Sequence, residues 1–347
     1  MLSSNIAIGV TAAAFYFRAI RRRMSTNHTR EFITNCLYYE PLALDTLSDG
    51  LKRLADDNES GIKVKELSVK NAISLKENST TFNTVLFKSL LRTKALGRLL
   101  LYSPTIPSSQ TMLKTYFDGV QSGLICIVDR QSQGKGRGGN TWESPHGCSM
   151  FSFKSKEVDG SRLPFIQYMI SLAIVRAVKK LSGEVEVDIG IKWPNDIYVN
   201  KTLKIGGVLC QSSFYKGVFD VTIGCGINTT NDKPTVSLNS LLQPGSKPIL
   251  REQVIAEILN QYEDMMDKFR SEGFTPFEKE YCSVWLHTNQ RVKVVERSGT
   301  NPIDVTIKGI ASVSGGLFAT DDNGCNYELY PDGNRFDFFN GLIRRKL

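Results

Sequence analysis

The run Gln133-Gly-Lys-Gly-Arg-Gly-Gly139 follows the strand-like segment Leu124-Ile-Cys-Ile-Val128 and leads into Asn140-Thr-Trp-Glu-Ser-Pro-His-Gly147. Gly134, Gly136 and Gly139 satisfy the G-x-G-x-x-G spacing of dinucleotide-binding folds. That fold needs a helix to begin at the glycines and aim its N-terminus at a pyrophosphate. Pro145 and Gly147 forbid a regular helix there. The ATPase phosphate loop is excluded too, because the run contains no G-K-[ST]. Two readings remain. One is a surface loop with two solvated cations. The other is an anion-gripping loop, in which N–H groups converge on an oxyanion and Lys135 and Arg137 supply charge. Such a loop would order on closing and exclude water, with Trp142 packing over the ligand.

A second segment, Lys192-Trp-Pro-Asn-Asp196, ends the apolar stretch Val187–Ile191. Alone, Trp193-Pro194 reads as a strand end with a buried indole. Asn195 and Asp196 then lie where a strand leaves the core, a usual place for site residues. Asn200-Lys201 reads as a hairpin turn that brings Lys204 back beside Asp196. The two are either a cross-strand ion pair of little worth or a catalytic pair. In the second case the lysine faces phosphate and the acid faces Mg²⁺ or an incoming amine. Ser108 and Ser109 precede a helix-like run and read equally as caps. Gln131 stands between strand and loop, and Gly224-Cys-Gly-Ile-Asn228 ends a strand with an amide suited to a base edge or a metal.

Apolar residues at helical spacing, Val85, Leu86, Leu90, Leu96, Leu99 and Leu100, predict a helix over Phe82–Leu100, broken by Tyr102–Ser109. Cys148–Phe153, Ile197–Val199, Ile205–Cys210 and Val218–Cys225 read as strands. Helices are expected at Phe165–Leu181 after Pro164, at Glu252–Phe269 and at Phe277–Leu286. Beyond about residue 288 short alternating strands with tight turns suggest a small barrel. The expected division is a leader over 1–30, an extension over 31–80, a catalytic domain over 81–287 and a C-terminal domain over 288–347.

The formal charge of +8 suggests a nucleic-acid partner until its placement is considered. Arg18, Arg21, Arg22, Arg23 and Arg30 all precede the first acid, Glu31, and discounting them leaves +3. The charge belongs to a basic leader, so no nucleic-acid partner is expected. The apolar stretch Ile6–Phe17 is shorter than the roughly 20 residues a bilayer span needs, so no stable membrane association is expected. An organelle-targeting leader fits this start better than a short anchor, and Met24 would give a leaderless form. Seven cysteines without a C-x-x-C pair and three scattered histidines suit reduced thiols and argue against a zinc site.

Taken together, Gly134–Asn140, Trp142-Glu-Ser-Pro145, Lys192–Ile197, Lys204-Ile-Gly-Gly207 and Gly224–Asn228 resemble the motifs of the biotin protein ligases, or holocarboxylase synthetases, in order and spacing. The tail Tyr330–Leu342 is similar to the eukaryotic enzymes, especially the plant type. The resemblance implies an α/β (α+β) fold like the class II aminoacyl-tRNA synthetases, a mixed sheet flanked by helices, with an SH3-like C-terminal β-barrel. It implies an ATP- and Mg²⁺-dependent ligase that forms biotinyl-5′-AMP and biotinylates a lysine of apo-carboxylase carrier domains. A homodimer is compatible with it, as is residence in the cytosol and in a chloroplast or mitochondrion.

By motif position Ser108, Ser109 and Gln131 would bind the ureido ring. Lys135, Gly136, Arg137 and Gly138 would enclose the biotin carboxylate, with Lys135 and Arg137 also on phosphates. Lys204 would span the carboxylate and α-phosphate, and Asp196 would serve amine transfer or Mg²⁺. Trp142, Asn195 and Asn228 would lie on the nucleotide side, with no protein metal set beyond the Mg²⁺ carried by ATP. Lys135 stands where many relatives have arginine, so a two-pronged contact is lost there. Alternatives are a lipoate or octanoate ligase or transferase of the same fold and, from another class, a biotin-responsive nucleic-acid-binding regulator.

Overall fold

The computed structural model describes residues 82–120, 123–183, 187–231, 236–295 and 302–330, with Arg53 and the strand segments 31–36, 63–64, 334–337 and 342–345. The expected leader with Met24, and most of 31–80, lie outside the described residues.

A nine-stranded mixed sheet forms the body, in the order β2-β1-β3-β4-β5-β9-β8-β7-β6. Its strands are β1 (Glu31–Cys36), β2 (Lys63–Val64), β3 (Leu99–Ile106), β4 (Leu124–Gln131), β5 (Cys148–Glu157), β6 (Ile189–Lys192), β7 (Asp196–Val199), β8 (Leu203–Tyr215) and β9 (Val218–Asn228). The helices are α1 (Thr84–Leu90), α2 (Ser109–Tyr116), α3 (Leu163–Ser182), α4 (Arg251–Glu272) and α5 (Thr275–Val284). β3 and β4 run parallel, joined by α2, whereas β4–β5, β5–β9, β9–β8, β8–β7 and β7–β6 are antiparallel hairpins or returns.

Helices cover both faces of the sheet, which explains the apolar runs. Leu100, Tyr102, Ile125, Ile127, Phe151 and Phe153 point into the core shared with α3 and α4. Their neighbours Leu99, Leu101, Cys126, Val128, Cys148 and Met150 point the other way, under Met112, Leu113 and Phe117 of α2 and its end. Strands buried on both faces read as continuous hydrophobic runs rather than alternating ones.

That burial corrects the expected helix over 82–100. The helix stops at Leu90, and Leu99–Ile106 is an interior strand carrying Pro104. Leu96 lies in the turn before β3, while a two-sided strand and one face of a helix both place leucines at Leu99 and Leu100, so periodicity alone does not separate them. Pro104 is tolerated because β1 pairs with β3 only from Leu99 to Tyr102. Most other expected elements appear with extended ends, but the helix expected over Phe277–Leu286 runs from Thr275 to Val284 and the strand expected from Val187 starts at Ile189. The turn after β7 is built on Asn200 (φ 49°) and Lys201 (φ 58°), both left-handed.

A six-stranded C-terminal sheet runs β13-β12-β11-β10-β15-β14, formed by β10 (Arg291–Val295), β11 (Ile303–Ile310), β12 (Leu317–Asp321), β13 (Asn326–Leu329), β14 (Asn334–Asp337) and β15 (Leu342–Arg345). It is antiparallel except for β10–β15. Val292, Val305, Ile307, Leu317 and Leu329 join the same hydrophobic core as α3 and α4, so the small sheet is seated on the body. No described helix is long and apolar enough to cross a membrane.

Candidate active site

The return from β4 to β5 and the β6–β7–β8 hairpins open onto one cavity of about 610 Å³. Its lining includes Ser108, Ser109, Gln131, Lys135, Gly136, Arg137, Gly138, Trp142, Asn195, Asp196 and Lys204. Residues singled out from four separate stretches are therefore brought together. Asn228 is not: it is buried at the end of β9, outside the lining.

The floor is set by α2. Ser108 is the N-cap of α2, accepting from the Thr111 N–H at 3.4 Å, so the capping reading holds for it. Ser109 holds Gln131: its backbone N–H donates to Gln131 Oε1 at 2.8 Å, and its hydroxyl lies 3.2 Å from the same oxygen. The Ser109 hydroxyl also bonds the buried Ser152 hydroxyl at 2.9 Å. With Oε1 occupied, Gln131 Nε2 turns toward Ser144 Oγ (3.5 Å) and Met150 Sδ (3.7 Å), two long contacts. The strand below is anchored at Asp129, which receives the Tyr102 hydroxyl and pairs with Arg251 at 2.8 Å.

The glycine run folds back on itself. Lys135 bridges Thr141, Gly136 N–H donates to Asn140 O at 2.7 Å, and Trp142 N–H donates to Gly134 O at 3.0 Å. A methyl at Gly134 would lie 2.4 Å from Trp142 O, so the doubled-back path needs glycine there. Trp142 then lies against the sheet: a methyl at Gly226 would meet its Cε2 at 2.5 Å. Lys204 Nζ is 5.8 Å from the Trp142 ring centre, a cation–π distance.

On the other side Lys204 Nζ pairs with Asp196 Oδ1 at 2.8 Å, as the hairpin turn predicts. Asn195 is fixed at both ends, its O accepting from Val208 N–H (2.8 Å) and its Nδ2 donating to Val208 O (2.9 Å). Trp193 follows the buried-indole reading, at 3% exposure. Its Nε1 donates to Tyr168 Oη at 2.7 Å, and that hydroxyl donates to Gly315 O in the turn between β11 and β12. Burial pushes the Tyr168 phenol up, so it stays neutral. The peptide bond before Pro194 is cis.

Sequence reasoning missed several lining groups. Gln110 is held by Thr222 O at 3.0 Å, and its Oε1 sits where a Gly224 side chain would go. Lys192 lines the wall over the Tyr198 ring, and Leu329 and Tyr330 reach the rim from the C-terminal sheet. No local signal marks the last two, since only tertiary contact brings them there. Cys225 also lines the cavity, but burial drives its thiol far above the usual value, which removes it as a nucleophile.

The cavity thus combines two flexible-chain cations, an acid–lysine pair and a polar floor, without an activated nucleophile among these residues. That set suits joining two bound substrates by charge neutralisation and alignment. Residues 102–228 match the sequence model of the biotin/lipoate A/B protein ligase family. The chain is 40% identical over 299 residues to biotin–protein ligase 1, chloroplastic, of Arabidopsis thaliana, covering 84% of this chain and 80% of that one. It is 39% identical over 308 residues to biotin–protein ligase 2 of the same plant, covering 86% and 92%. In fold it is similar to a biotin protein ligase from Aquifex aeolicus solved with biotin and ATP, with a TM-score of 0.56 and 24% identity over 68% of this chain and 96% of that one. With the motifs gathered on one cavity and these relatives matched over most of their length, the chain belongs to the biotin protein ligases, on the plant-like side of the family.

Proposed function

We propose that this cavity couples biotin to the α-phosphate of ATP and then passes the biotinyl group to a lysine of an apo-carboxylase carrier domain. The observation that carries this reading is the convergence of the glycine-run cations, the Asp196–Lys204 pair and the Ser109–Gln131 floor on one cavity. In the first half-reaction a biotin carboxylate oxygen attacks the α-phosphorus, the bond to the β-phosphate breaks, and pyrophosphate leaves. In the second, the carrier lysine amine attacks the activated carbonyl and AMP leaves. We assign Ser108, Ser109 and Gln131 to the ureido group. The long contacts of Gln131 Nε2 are those a ligand carbonyl would replace.

Lys135 and Arg137, with the backbone of Gly136 and Gly138, close over the carboxylate and phosphates. Lys204 exchanges its Asp196 partner for the carboxylate and α-phosphate, which frees Asp196 to receive the amine proton. Trp142 and Asn195 face the nucleotide, and Asn228 is left out because it does not line the cavity. Mg²⁺ arrives with ATP. Among the described residues no three His, Cys, Asp or Glu gather as a metal site. A Mg²⁺ carried by ATP would keep mostly water and phosphate ligands, with the Asp196 carboxylate as the lining group that could join them.

We further place catalysis in 81–287 and assign 288–347 a supporting role at the rim. Residues 1–30 act as a leader for chloroplast or mitochondrion, and a start at Met24 leaves a cytosolic form. An acid-free, arginine-bearing start and a similar plant protein described as chloroplastic support this. The test is to incubate the full chain with labelled biotin, Mg·ATP and a recombinant carrier domain, with lipoate as competitor acid. Label on the carrier lysine that lipoate does not displace is expected. Lipoyl transfer in place of biotinyl transfer would overturn the assignment.

A further inference from the structure

His287 lies in the connection between α5 and β10 and is fully buried. Residues 285–287 run along the outer edge of β6 as a short parallel addition. Trp285 bridges Ile191, and Leu286 N–H donates to Ile191 O at 3.0 Å. In a continued parallel ladder the next rung would join Trp193 N–H to Leu286 O. Here the imidazole takes the acceptor's place: Trp193 N–H donates to His287 Nε2 at 2.9 Å. The other ring nitrogen, Nδ1, lies 2.8 Å from Gln290 Oε1. An accepting Nε2 and a donating Nδ1–H define one neutral tautomer.

This contact falls at the residue where β6 becomes the cavity wall. Lys192, Trp193, Pro194, Asn195 and Asp196 all line the cavity. The far end of the turn is fixed by the two Asn195–Val208 bonds, and its near end by His287 and, through the indole, Tyr168. We propose that His287 is a positioning residue, which in its neutral form fixes the backbone of Trp193 and thereby sets Asp196 and Lys192 against Lys204 for adenylate formation. The inference rests on the reading of the cavity given above. The charged group facing the ring is Lys192 on β6, with the uncharged Trp285 and Gln290 beside it. Burial first, and that lysine last, hold the ring neutral, with a pKa lowered to about 4 against a smaller opposing effect of Gln290.

The test compares His287→Met, which keeps length and apolar volume but removes the acceptor, with His287→Gln, whose amide oxygen reaches the same N–H. Biotinyl-AMP formation is followed in the full chain at varied biotin and ATP, alongside biotin affinity without ATP. His287→Met should lower kcat about tenfold while biotin affinity stays within about twofold, because the Ser109–Gln131 floor has no bond to this turn. His287→Gln should recover most of that loss. Equal loss in both variants, unchanged kcat in His287→Met, or loss of biotin affinity alone would overturn the proposal. Gln290→Leu, which releases the tautomer without touching the contact, covers the case in which His287→Met does not fold. It should lower kcat about threefold, and an unchanged rate overturns the role. A wild-type chain that activates a different acid overturns the biotin reading instead, and the same kcat comparison is then made with that acid.

Discussion

The glycine run and the Lys192–Lys204 hairpin line the same cavity but are held in different ways. Residues 134–142 bond mainly to each other, through Gly136–Asn140, Gly134–Trp142 and the Lys135–Thr141 bridge. The hairpin is tied to three other parts of the molecule: α3 through Tyr168, β8 through Val208, and the 285–287 connection through His287. A loop whose backbone bonds close within itself can open and close at less cost than a hairpin clamped to three other segments, which keeps its charges in place before ligand arrives. On the proposed function, one wall is preformed and the other closes on it.

The strongest way to break this comparison is to remove one cation from each wall. Lys204→Ala and Arg137→Ala should each cut biotinyl-AMP formation about a hundredfold or more, since losing one such oxyanion contact costs roughly 3–4 kcal/mol. Near-normal synthesis of labelled biotinyl-AMP by either variant removes that residue from the site. If the hairpin is the rigid wall, ligands should leave protease sensitivity at the exposed turn residue Lys201 unchanged while protecting Lys135 and Arg137.

The clamp also has a pH signature. His287 titrates near 4 when folded, below its ordinary 6.5. Between those values the unfolded chain takes up a proton that the folded chain refuses, so stability falls as pH drops from 6.5 toward 4. The loss reaches about 3 kcal/mol, and above 6.5 the effect vanishes. Urea midpoints against pH should lose that component in His287→Gln; an unchanged slope would contradict it.

A smaller effect is expected where the two walls meet. Gly226→Ala places a methyl 2.5 Å from Trp142 Cε2, which should cost about 1–3 kcal/mol of strain or displace the indole. Trp142 fluorescence and ATP affinity report the displacement, and a silent substitution would show that the indole contact is not needed. Least affected should be Lys135→Arg, which adds the two-pronged fork while keeping charge and should change kcat/KM by no more than about threefold. A larger change would mean that Lys135 grips as firmly as Lys204.

How much of this could be read beforehand depends on whether the information is local. Lys204 and Asp196 were legible because one hairpin turn, marked by Asn200-Lys201, sets their spacing. The glycine run was legible because Pro145 and Gly147 exclude a helix. The stretch Leu99–Leu101 misled because helix and two-sided strand share its pattern, and only the helices on both faces decide between them. His287 gave no signal at all: its partner Trp193 is 94 residues away.

The sequence by itself determined which charged and polar side chains are present, the strands and turns that carry them, and the family they belong to. Local backbone preferences and short-range pairing suffice for that. Tertiary structure alone decided that these segments share one cavity, that Asn228 stays out of it, and that the C-terminal sheet reaches its rim through Leu329 and Tyr330. The reason is physical: burial of a common core, not any local propensity, brings distant segments to one place.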